Sequence, residues 1–147
     1  DKITKTERDT LYDNRINPIA SFANVGPVVW GQKTLQLKAS ALDRVNVRRM
    51  LLRVRKFIAN VANGLVFEPN IPATWTKFAN KVNPYLDTVK QNAGIVEFKV
   101  IMDNTTTTPD LIDRNIIYGK LAIKPTRASE FILLDFFITN NAAGFTG

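Results

Sequence analysis

The spacing of the apolar residues changes at Gly94, and this change constrains the fold more than any other feature of the sequence. Before Gly94, apolar side chains recur at intervals of three and four residues, as they do along one side of an α-helix. After Gly94, they alternate with other side chains at a period of two, as they do along a β-strand. The sequence therefore predicts two helical segments followed by three strands.

The first helical segment is predicted to begin at Asp43, a favourable N-cap, and to end near Asn63, with Gly64 as the C-cap. Its apolar residues recur at helical spacing and fall in a single stripe. That stripe, which we expect to face the core, consists of Val47, Met50, Leu51, Val54, Phe57, Ile58, Val61 and Leu65. Most of the remaining helix surface is cationic.

The second helical segment ends at Gly94 and contains a proline. Its apolar residues again recur at every third or fourth position, and they are Ile71, Trp75, Phe78, Val82, Leu86 and Val89. Pro84 has no backbone N–H, and its ring crowds the preceding turn. We therefore expect either a kink or two abutting helices, with Asn83 capping the second helix and Pro84 at its first position.

Three strands are predicted after Gly94. The first two lie on either side of a polar loop, and their aligned residues are Val96, Phe98, Val100 and Met102, then Ile117, Gly119, Leu121 and Ile123. Pro125 closes the second strand. The third strand, Phe131 to Ile138, is apolar on both faces except at Asp135, so both faces must be covered. It is either the central strand of the domain's own sheet or a strand that joins a neighbour's sheet.

The first forty residues are more polar and less regular. Residues 1–14 suggest a short helix through Tyr12. Residues 15–40 are predicted to form an extended arm, because two proline dipeptides interrupt them. The arm contains one β-prone run, Val28 to Trp30, which has the same two interpretations as the third strand: it pairs within the chain or with a neighbour.

Several function classes are excluded by residue types and patterns that the sequence lacks. The chain contains no cysteine and no histidine, which excludes disulfides, thiolate or histidine zinc sites, cysteine nucleophiles and a Ser-His-Asp relay. The phosphate-loop, nucleophile-elbow and dinucleotide-binding patterns do not occur. No apolar run reaches the roughly 18 residues that a membrane span needs. These enzyme classes lose most of their weight, so any catalysis would have to rest on carboxylates, lysine, tyrosine or hydroxyl groups, and we expect no cofactor and no membrane insertion.

Carboxylates and threonines cluster between Asp103 and Asp113. The loop from Asp103 to Asp110 offers oxygen ligands, but it lacks the spaced carboxylates, central glycine and closing glutamate of a calcium loop. An ordinary turn is therefore favoured over a metal site. The pair Asp110 and Asp113 would suit a carboxylate-based hydrolase, although helix capping explains both residues equally well.

The first helical segment carries the main charge feature of the chain, whose 20 Lys and Arg exceed its 13 Asp and Glu by seven. The cations of this basic face are Arg44, Arg48, Arg49, Arg53, Arg55 and Lys56. They repel one another unless they are solvated or meet negative charge. Val45 and Leu52 stand in the middle of the basic face, as is typical of a docking patch. A solvated helix face, a protein interface and a nucleic-acid surface remain open, although no DNA-reading motif occurs.

Several segments follow one another in an order and spacing that are typical of one family. They are Leu11–Ile19, Gly26–Leu35 (GPVVWGQKTL), Asp43–Leu51 (DRVNVRRML), Gly94–Asp103, Asn104–Asn115, Lys124–Pro125 and Glu130–Ile132. No single segment is decisive, but together they extend over nearly the whole chain. In this order they resemble the C-terminal domain of contractile tail sheath proteins from myovirus-type bacteriophages.

The resemblance implies an α+β domain in which two main helices pack on a small β-sheet. It also implies extended N- and C-terminal arms that exchange strands between subunits. Residues 1–40 would be the N-terminal arm, and residues 41–147 would be the sheath C-terminal domain. Family members are considerably longer, so we expect the chain to be the C-terminal portion of such a protein, with Asp1 an internal residue.

The function implied by the resemblance is that of a structural virion protein without an active site. Sheath subunits polymerise around the tail tube in an extended state, and after a trigger at the baseplate they contract and drive the tube through the host envelope. The implied partners are other sheath subunits, the tube protein, and baseplate and tail terminator proteins. Assembly would take place in the host cytoplasm, without direct nucleic-acid contact. The alternatives are the sheath of a phage-tail-like contractile injection system and a basic nucleic-acid-binding module.

The resemblance also suggests roles for particular residues. By position, the basic helix would face the tube or an adjacent subunit, through Arg44, Arg48, Arg49, Leu52, Arg53 and Lys56. Strand exchange would involve Val28, Val29, Trp30, Phe131, Leu133 and Phe137. Gly26, Pro27 and Gly31 would flank a hinge in the arm.

Overall fold

The computed structural model describes residues 2–126, 130–139 and 143–146. Among these residues it contains four helices and two antiparallel sheets, so the implied α+β fold is confirmed. The chain divides into two compact units, residues 1–49 and residues 50–147.

The first unit contains one short helix and a hairpin, namely α1 (Lys5–Asp13), β1 (Ile19–Phe22) and β2 (Gly26–Val29). Thr4 caps α1: the Glu7 backbone N–H donates to the Thr4 hydroxyl, and the Thr4 backbone N–H donates to the Glu7 carboxylate. Asn24 and Gly26 both have a left-handed φ, as tight hairpin turns require. Part of the predicted extended arm therefore folds back on itself.

Helix α2 (Val45–Asn63) begins two residues later than predicted. Arg44 pairs with Lys33 in an isolated antiparallel bridge, which keeps the backbone extended up to the residue before the helix. Arg44 is therefore the residue that flanks the helix, and its carbonyl accepts from the Arg48 N–H at 3.1 Å, so the assignment of Asp43 as the N-cap is wrong. Gly64 follows the helix as predicted, but it does not take the left-handed φ of a C-cap glycine.

The predicted apolar stripes of the two long helices are buried or half-buried, except at Ile71, which precedes α3 and is 46% exposed. Helix α3 (Pro72–Gln91) runs through Pro84 as one helix, so the expectation of two abutting helices with Asn83 as a cap is wrong. Val82 and Leu86 lie on either side of the proline, and both are fully buried. Their packing offsets the backbone hydrogen bond that Pro84 cannot make. The other buried apolar residues of the two helices are Val47, Leu51, Val54, Ile58, Ala62, Trp75 and Phe78.

The second unit contains a four-stranded antiparallel sheet in the order β3-β4-β5-β6. Its elements are β3 (Ile95–Ile101), the short helix α4 (Pro109–Asp113), β4 (Ile117–Pro125), β5 (Ile132–Ile138) and β6 (Ala143–Thr146). The inner face of the sheet buries Leu121, Ile123 and Phe136. The Phe136 ring centroid lies 5.0 Å from that of Phe78 on α3. The predicted packing of a helix on a small sheet is therefore confirmed.

Strand β6 was not expected from the sequence, which is rich in Asn, Ala and Gly at its C-terminal end. It pairs with β5, with Phe145 opposite Phe136. Of the C-terminal tail, residues 140–142 and 147 lie outside the described residues. Strand β5 is thus paired on both edges, by β4 and by β6, which confirms that it is an internal strand of the domain's own sheet.

The start of β3 departs from the predicted alternation. The pairing with β4 shifts register between Ile95 and Glu97. Ile95 is consequently buried, whereas Val96 is exposed. A bulge adds a residue to one strand and rotates the side chains that precede it to the opposite face, which a strict period of two cannot anticipate.

Candidate assembly interface

The basic face of α2 is largely open to solvent. Arg48, Arg49, Arg53 and Lys56 are exposed, and among the described residues they form no ion pair. Leu52 is 52% exposed, one residue before Arg53 and four before Lys56. Residues three and four apart are neighbours on a helix surface, so an apolar side chain stands among unpaired cations.

The other residues of the predicted basic face are engaged by neighbours. The Arg44 guanidinium donates to the Tyr12 hydroxyl at 2.6 Å and lies 3.6 Å from the Asp43 carboxylate. The Arg55 guanidinium carbon lies 4.7 Å from the ring centroid of Phe145, at cation–π distance. Neither aromatic contact had a local sequence signal, because both rings lie far from α2 along the chain.

The predicted exchange run of the arm, Val28 to Trp30, is paired within the chain. Val29 lies opposite Ile19 in the hairpin, and the Trp30 N–H donates to the Pro18 carbonyl at 2.7 Å. Trp30 remains 56% exposed. Because the sheet of the first unit has only two strands, β2 has one edge without a strand partner among the described residues.

The predicted exchange residues of β5 differ in their exposure. Leu133 is 65% exposed and Phe131 nearly half exposed on the outer face of the sheet. The Lys124 amine lies 5.8 Å from the Phe131 ring centroid. Phe137 is half-buried, and its ring packs so closely on Gly144 of β6 that an added Cβ there would lie 3.0 Å from it. The outer face therefore keeps an apolar patch at Phe131 and Leu133, while the Phe137 ring lies against the neighbouring strand β6.

Among the described residues, the three most exposed large apolar side chains had no place in the predicted sites; they are Leu35, Leu37 and Phe67. The two leucines flank Gln36 in a segment whose carbonyls accept hydrogen bonds from the Arg15 guanidinium. The alternation of these leucines with a polar residue was the sequence signal that could have identified them. Phe67 follows the apolar pair Leu65-Val66 beyond the end of α2. Three consecutive apolar residues of this kind would ordinarily predict burial in the core.

The acidic loop after β3 is a turn with its own hydrogen bonds. The Thr105 hydroxyl and backbone N–H both donate to the Asp103 carboxylate, and the side-chain bond first, then the backbone bond, hold the pKa of Asp103 below its ordinary value. Asp110 lies 3.8 Å from the Arg114 guanidinium, four residues on. Within the described ranges, no group of three or more acidic side chains could hold a metal ion, and no helix is long and apolar enough to cross a membrane.

Unpaired cations around Leu52, an open hairpin edge and an apolar outer sheet face have the features of surfaces that contact other macromolecules. Residues 38–139 match the family model of the phage tail sheath C-terminal domain, and the chain belongs to this family.

Two similar proteins are tail sheath proteins of bacteriophages. The chain is 36% identical over 143 residues to that of Vibrio phage KVP40, covering 97% of this chain and 21% of that protein. It is 35% identical over 141 residues to that of Enterobacteria phage T4, covering 96% of this chain and 21% of that protein. The chain thus spans about a fifth of the length of these relatives.

A solved structure shares the fold. It is the PVC sheath complex of an extracellular contractile injection system in its contracted state, with a TM-score of 0.77 and 28% sequence identity. The similarity covers 90% of this chain and 39% of that one. The fold described above is therefore similar to part of a sheath subunit in a contractile assembly.

Proposed function

We propose that the chain forms part of a contractile sheath subunit, which polymerises around a tail tube and contracts to drive the tube through the host envelope. The support is its membership of the tail sheath family and its similarity to a contracted sheath complex. The observation that carries the proposal within the chain is the basic face of α2, where exposed cations surround Leu52. In this role the protein is a virion component that assembles in the host cytoplasm.

The basic face is the proposed contact with an acidic tube surface. Its exposed cations would attract such a surface over the Debye length, about 8 Å at physiological ionic strength. Leu52 would add an apolar contact at the centre, which the surrounding contacts would shield from water once the interface forms. Electrostatic complementarity of this kind raises the association rate and fixes orientation more than it raises affinity.

The open strand edges are the proposed contacts between sheath subunits. In this proposal residues 1–40 act as an arm and residues 41–147 as the domain. The free edge of β2, at Val28 to Trp30, can accept or donate a strand through main-chain hydrogen bonds. The apolar outer face at Phe131 and Leu133 can be covered by a neighbour at the same time. Baseplate and tail terminator proteins would cap the ends of such a lattice.

Contraction in this proposal requires no active site. The energy is stored in the packing of subunits, and it is released when one set of heterologous contacts is replaced by another. Strand pairing between subunits keeps the lattice connected while the other contacts change. The exposed apolar and cationic surfaces of the chain are of the kind that such exchangeable contacts use.

The test is tube-templated assembly of the full-length sheath protein that carries this domain. The variant reverses three charges of the basic face, Arg48→Glu, Arg49→Glu and Arg53→Glu. We expect it to lose assembly on the tube at low salt, as observed by negative-stain electron microscopy. A matched control reverses Lys38, Lys81 and Lys90, which are exposed elsewhere, and it should assemble normally. Unchanged assembly of the first variant would contradict a role of the basic face at the tube.

Two alternatives are separated by related measurements. Similarity to a contractile injection system favours a phage-tail-like particle as the second candidate, and electron microscopy of the native particle decides between them by the presence of a DNA-filled head. A nucleic-acid-binding module would instead retard DNA in a gel, with an affinity that falls steeply with salt.

A further inference from the structure

The aromatic side chain of strand β6 contacts both the sheet and α2. The Phe145 ring centroid lies 6.5 Å from that of Phe136 on β5, in an edge-to-face arrangement. The guanidinium carbon of Arg55 on α2 lies over the same ring, 4.7 Å from its centroid. A cation above a ring face is attracted by the electron density of the ring. Phe145 therefore links the C-terminal strand to α2, and we refer to its contact with Arg55 as the latch.

Arg55 is a cation of the basic face. It follows Leu52 by three residues, and residues at this spacing are neighbours on a helix surface. Arg53 and Lys56 are exposed, whereas Arg55 is half-buried. Within the described ranges no carboxylate forms an ion pair with Arg55. The guanidinium therefore has an aromatic partner where an acidic surface would supply a carboxylate.

Strand β6 is the shortest strand of the sheet and lies at its edge. It has four residues, and among the described strands it pairs with β5 alone. Phe145 lies opposite Phe136 in this pairing. Short edge strands lie at the low end of local stability, so they detach without unfolding of the whole domain. Detachment of β6 carries Phe145 away from α2 and frees Arg55.

We infer that the latch regulates the basic face: Phe145 holds Arg55 while β6 is paired with β5, and Arg55 is released to bind an acidic surface when β6 detaches. The inference rests on the proposed function, because it concerns the surface proposed to contact the tube. A guanidinium that stacks on a ring must leave the ring before its N–H groups can turn towards a carboxylate. Binding of an acidic partner and pairing of β6 are therefore negatively coupled, and each weakens the other by the same factor.

The size of the coupling follows from the strength of the latch. A cation–π contact at a partly exposed site changes an equilibrium constant roughly two- to five-fold. The other cations of the basic face bind an acidic surface whether or not Arg55 is released. The latch therefore adjusts the affinity of the basic face, and a chain whose β6 is displaced binds an acidic surface more tightly than one whose β6 is paired.

The first test is binding of fluorescently labelled poly-L-glutamate to this chain at low salt, measured by anisotropy. Phe145→Leu keeps an apolar side chain against Phe136 but removes the ring face, so it should raise the affinity roughly two- to five-fold. In an Arg55→Gln background the same change should have no effect, because no guanidinium remains to be released. Phe98→Leu, which alters a half-buried ring on β3, is the matched control and should bind like the unchanged chain.

The second test follows amide hydrogen exchange of β6 by NMR. Saturating poly-L-glutamate should speed exchange of the β6 amides that pair with β5 by the factor that Phe145→Leu gains in affinity, since coupling is reciprocal. Arg55→Gln should speed the same amides by a similar factor without any ligand, although it alters no residue of the sheet. The amides of β4, which is paired on both edges, are the internal reference.

Failure of the latch is distinguishable from failure of the proposed function. The latch is overturned if Phe145→Leu binds no more tightly than the unchanged chain, or if the gain persists in the Arg55→Gln background. It is also overturned if poly-L-glutamate leaves the exchange of β6 unchanged. In these three cases the basic face still binds an acidic partner. An unchanged chain that does not bind poly-L-glutamate at low salt would overturn both proposals.

Discussion

The two units of the chain differ in the kind of contact that stabilises each of them internally. The second unit buries large apolar side chains completely, including Phe78, Leu121 and Phe136. In the first unit, α1 has no buried residue, and the loop segments are held by polar contacts. Arg15 donates to the carbonyls of Gln36 and Leu37, and other polar contacts join Asn17 and Tyr12 to Lys33.

The difference indicates which unit is the stable scaffold. Burial of a large apolar side chain stabilises a fold by about 1.5–3 kcal/mol, whereas a typical hydrogen bond contributes a net 0.5–1.5 kcal/mol or so. We therefore expect the second unit to resist denaturant better than the first. The two tryptophans report the units separately, since Trp75 is buried in the second unit and Trp30 lies in the first.

The largest expected effect is on the core of the second unit. Phe78→Ala should lower the free energy of unfolding by about 3–5 kcal/mol, because it deletes a fully buried ring that stacks on Phe136. Denaturant titration followed by Trp75 fluorescence, in a Trp30→Phe background, measures this change. Phe67→Ala removes the same side chain from an exposed position and should cost under about 0.5 kcal/mol. A loss below about 1 kcal/mol for Phe78→Ala would show that burial does not dominate this unit.

An intermediate loss of stability is expected in the first unit, where the backbone at Gly31 lies close to the Asn17 side chain. A Cβ added at Gly31 would lie 2.5 Å from the Asn17 side-chain oxygen, which accepts from the Lys33 N–H at 3.0 Å. Gly31→Ala should therefore cost about 1–3 kcal/mol, because the amide must move and its hydrogen bonds break. Trp30 fluorescence, in a Trp75→Phe background, follows the unfolding of this unit.

The control for Gly31→Ala is the same change in an Asn17→Ala background. With the amide absent, only the Cβ of residue 17, 3.1 Å away, stays close, so the added methyl group should cost less and the two changes should be non-additive. Equal costs in both backgrounds would mean that the Asn17 amide is not what disfavours a side chain at position 31.

The smallest effect is expected at α1 on acidification. The backbone N–H of Thr4, and then its hydroxyl, donate to the Glu7 carboxylate and hold the pKa of Glu7 below its ordinary value. The unfolded chain therefore binds this proton more readily, so the stabilisation is complete above the unfolded pKa and is lost as the pH falls through the folded pKa. The NMR Cα shifts of residues 5–13 should move towards coil values as the pH falls below the ordinary pKa of a glutamate side chain.

A Glu7→Gln variant should lack most of this pH dependence, because the amide does not titrate. Shifts for residues 5–13 that respond to acid equally in both proteins would place the titrating group elsewhere. The response of the Trp75 signal to acid should be the same in both proteins, since the capping contact lies wholly in the first unit.

Local patterns in the sequence predicted the helices and three of the strands. The stripe of α2 and the alternation in β4 each reflect a repeat within one element, and burial in the core follows that repeat. The predicted boundaries of the elements were less accurate where contacts between residues distant in sequence override the local pattern. The start of α2 is delayed by the Arg44–Lys33 bridge, and α3 continues through Pro84 because Val82 and Leu86 are packed on both sides of it.

The candidate site was predicted in part. The exposure of Leu52 among the α2 cations followed from helical geometry, because positions opposite a buried stripe must face outward. The engagement of Arg44 by Tyr12 and of Arg55 by Phe145 did not follow, since each contact joins residues that only tertiary folding brings together. The predicted roles at a tube or in strand exchange stay predictions.

The sequence by itself determined the α+β order, the core faces of the long helices and the basic face of α2, since all three depend on residue type and local period. Tertiary structure alone decided that β6 completes the sheet beside β5, that the arm contains a hairpin, and that Phe67 is exposed to solvent. The physical reason is that strand pairing and side-chain burial depend on which distant residues meet. An apolar residue such as Phe67 has the same sequence signature whether the fold covers it or leaves it exposed.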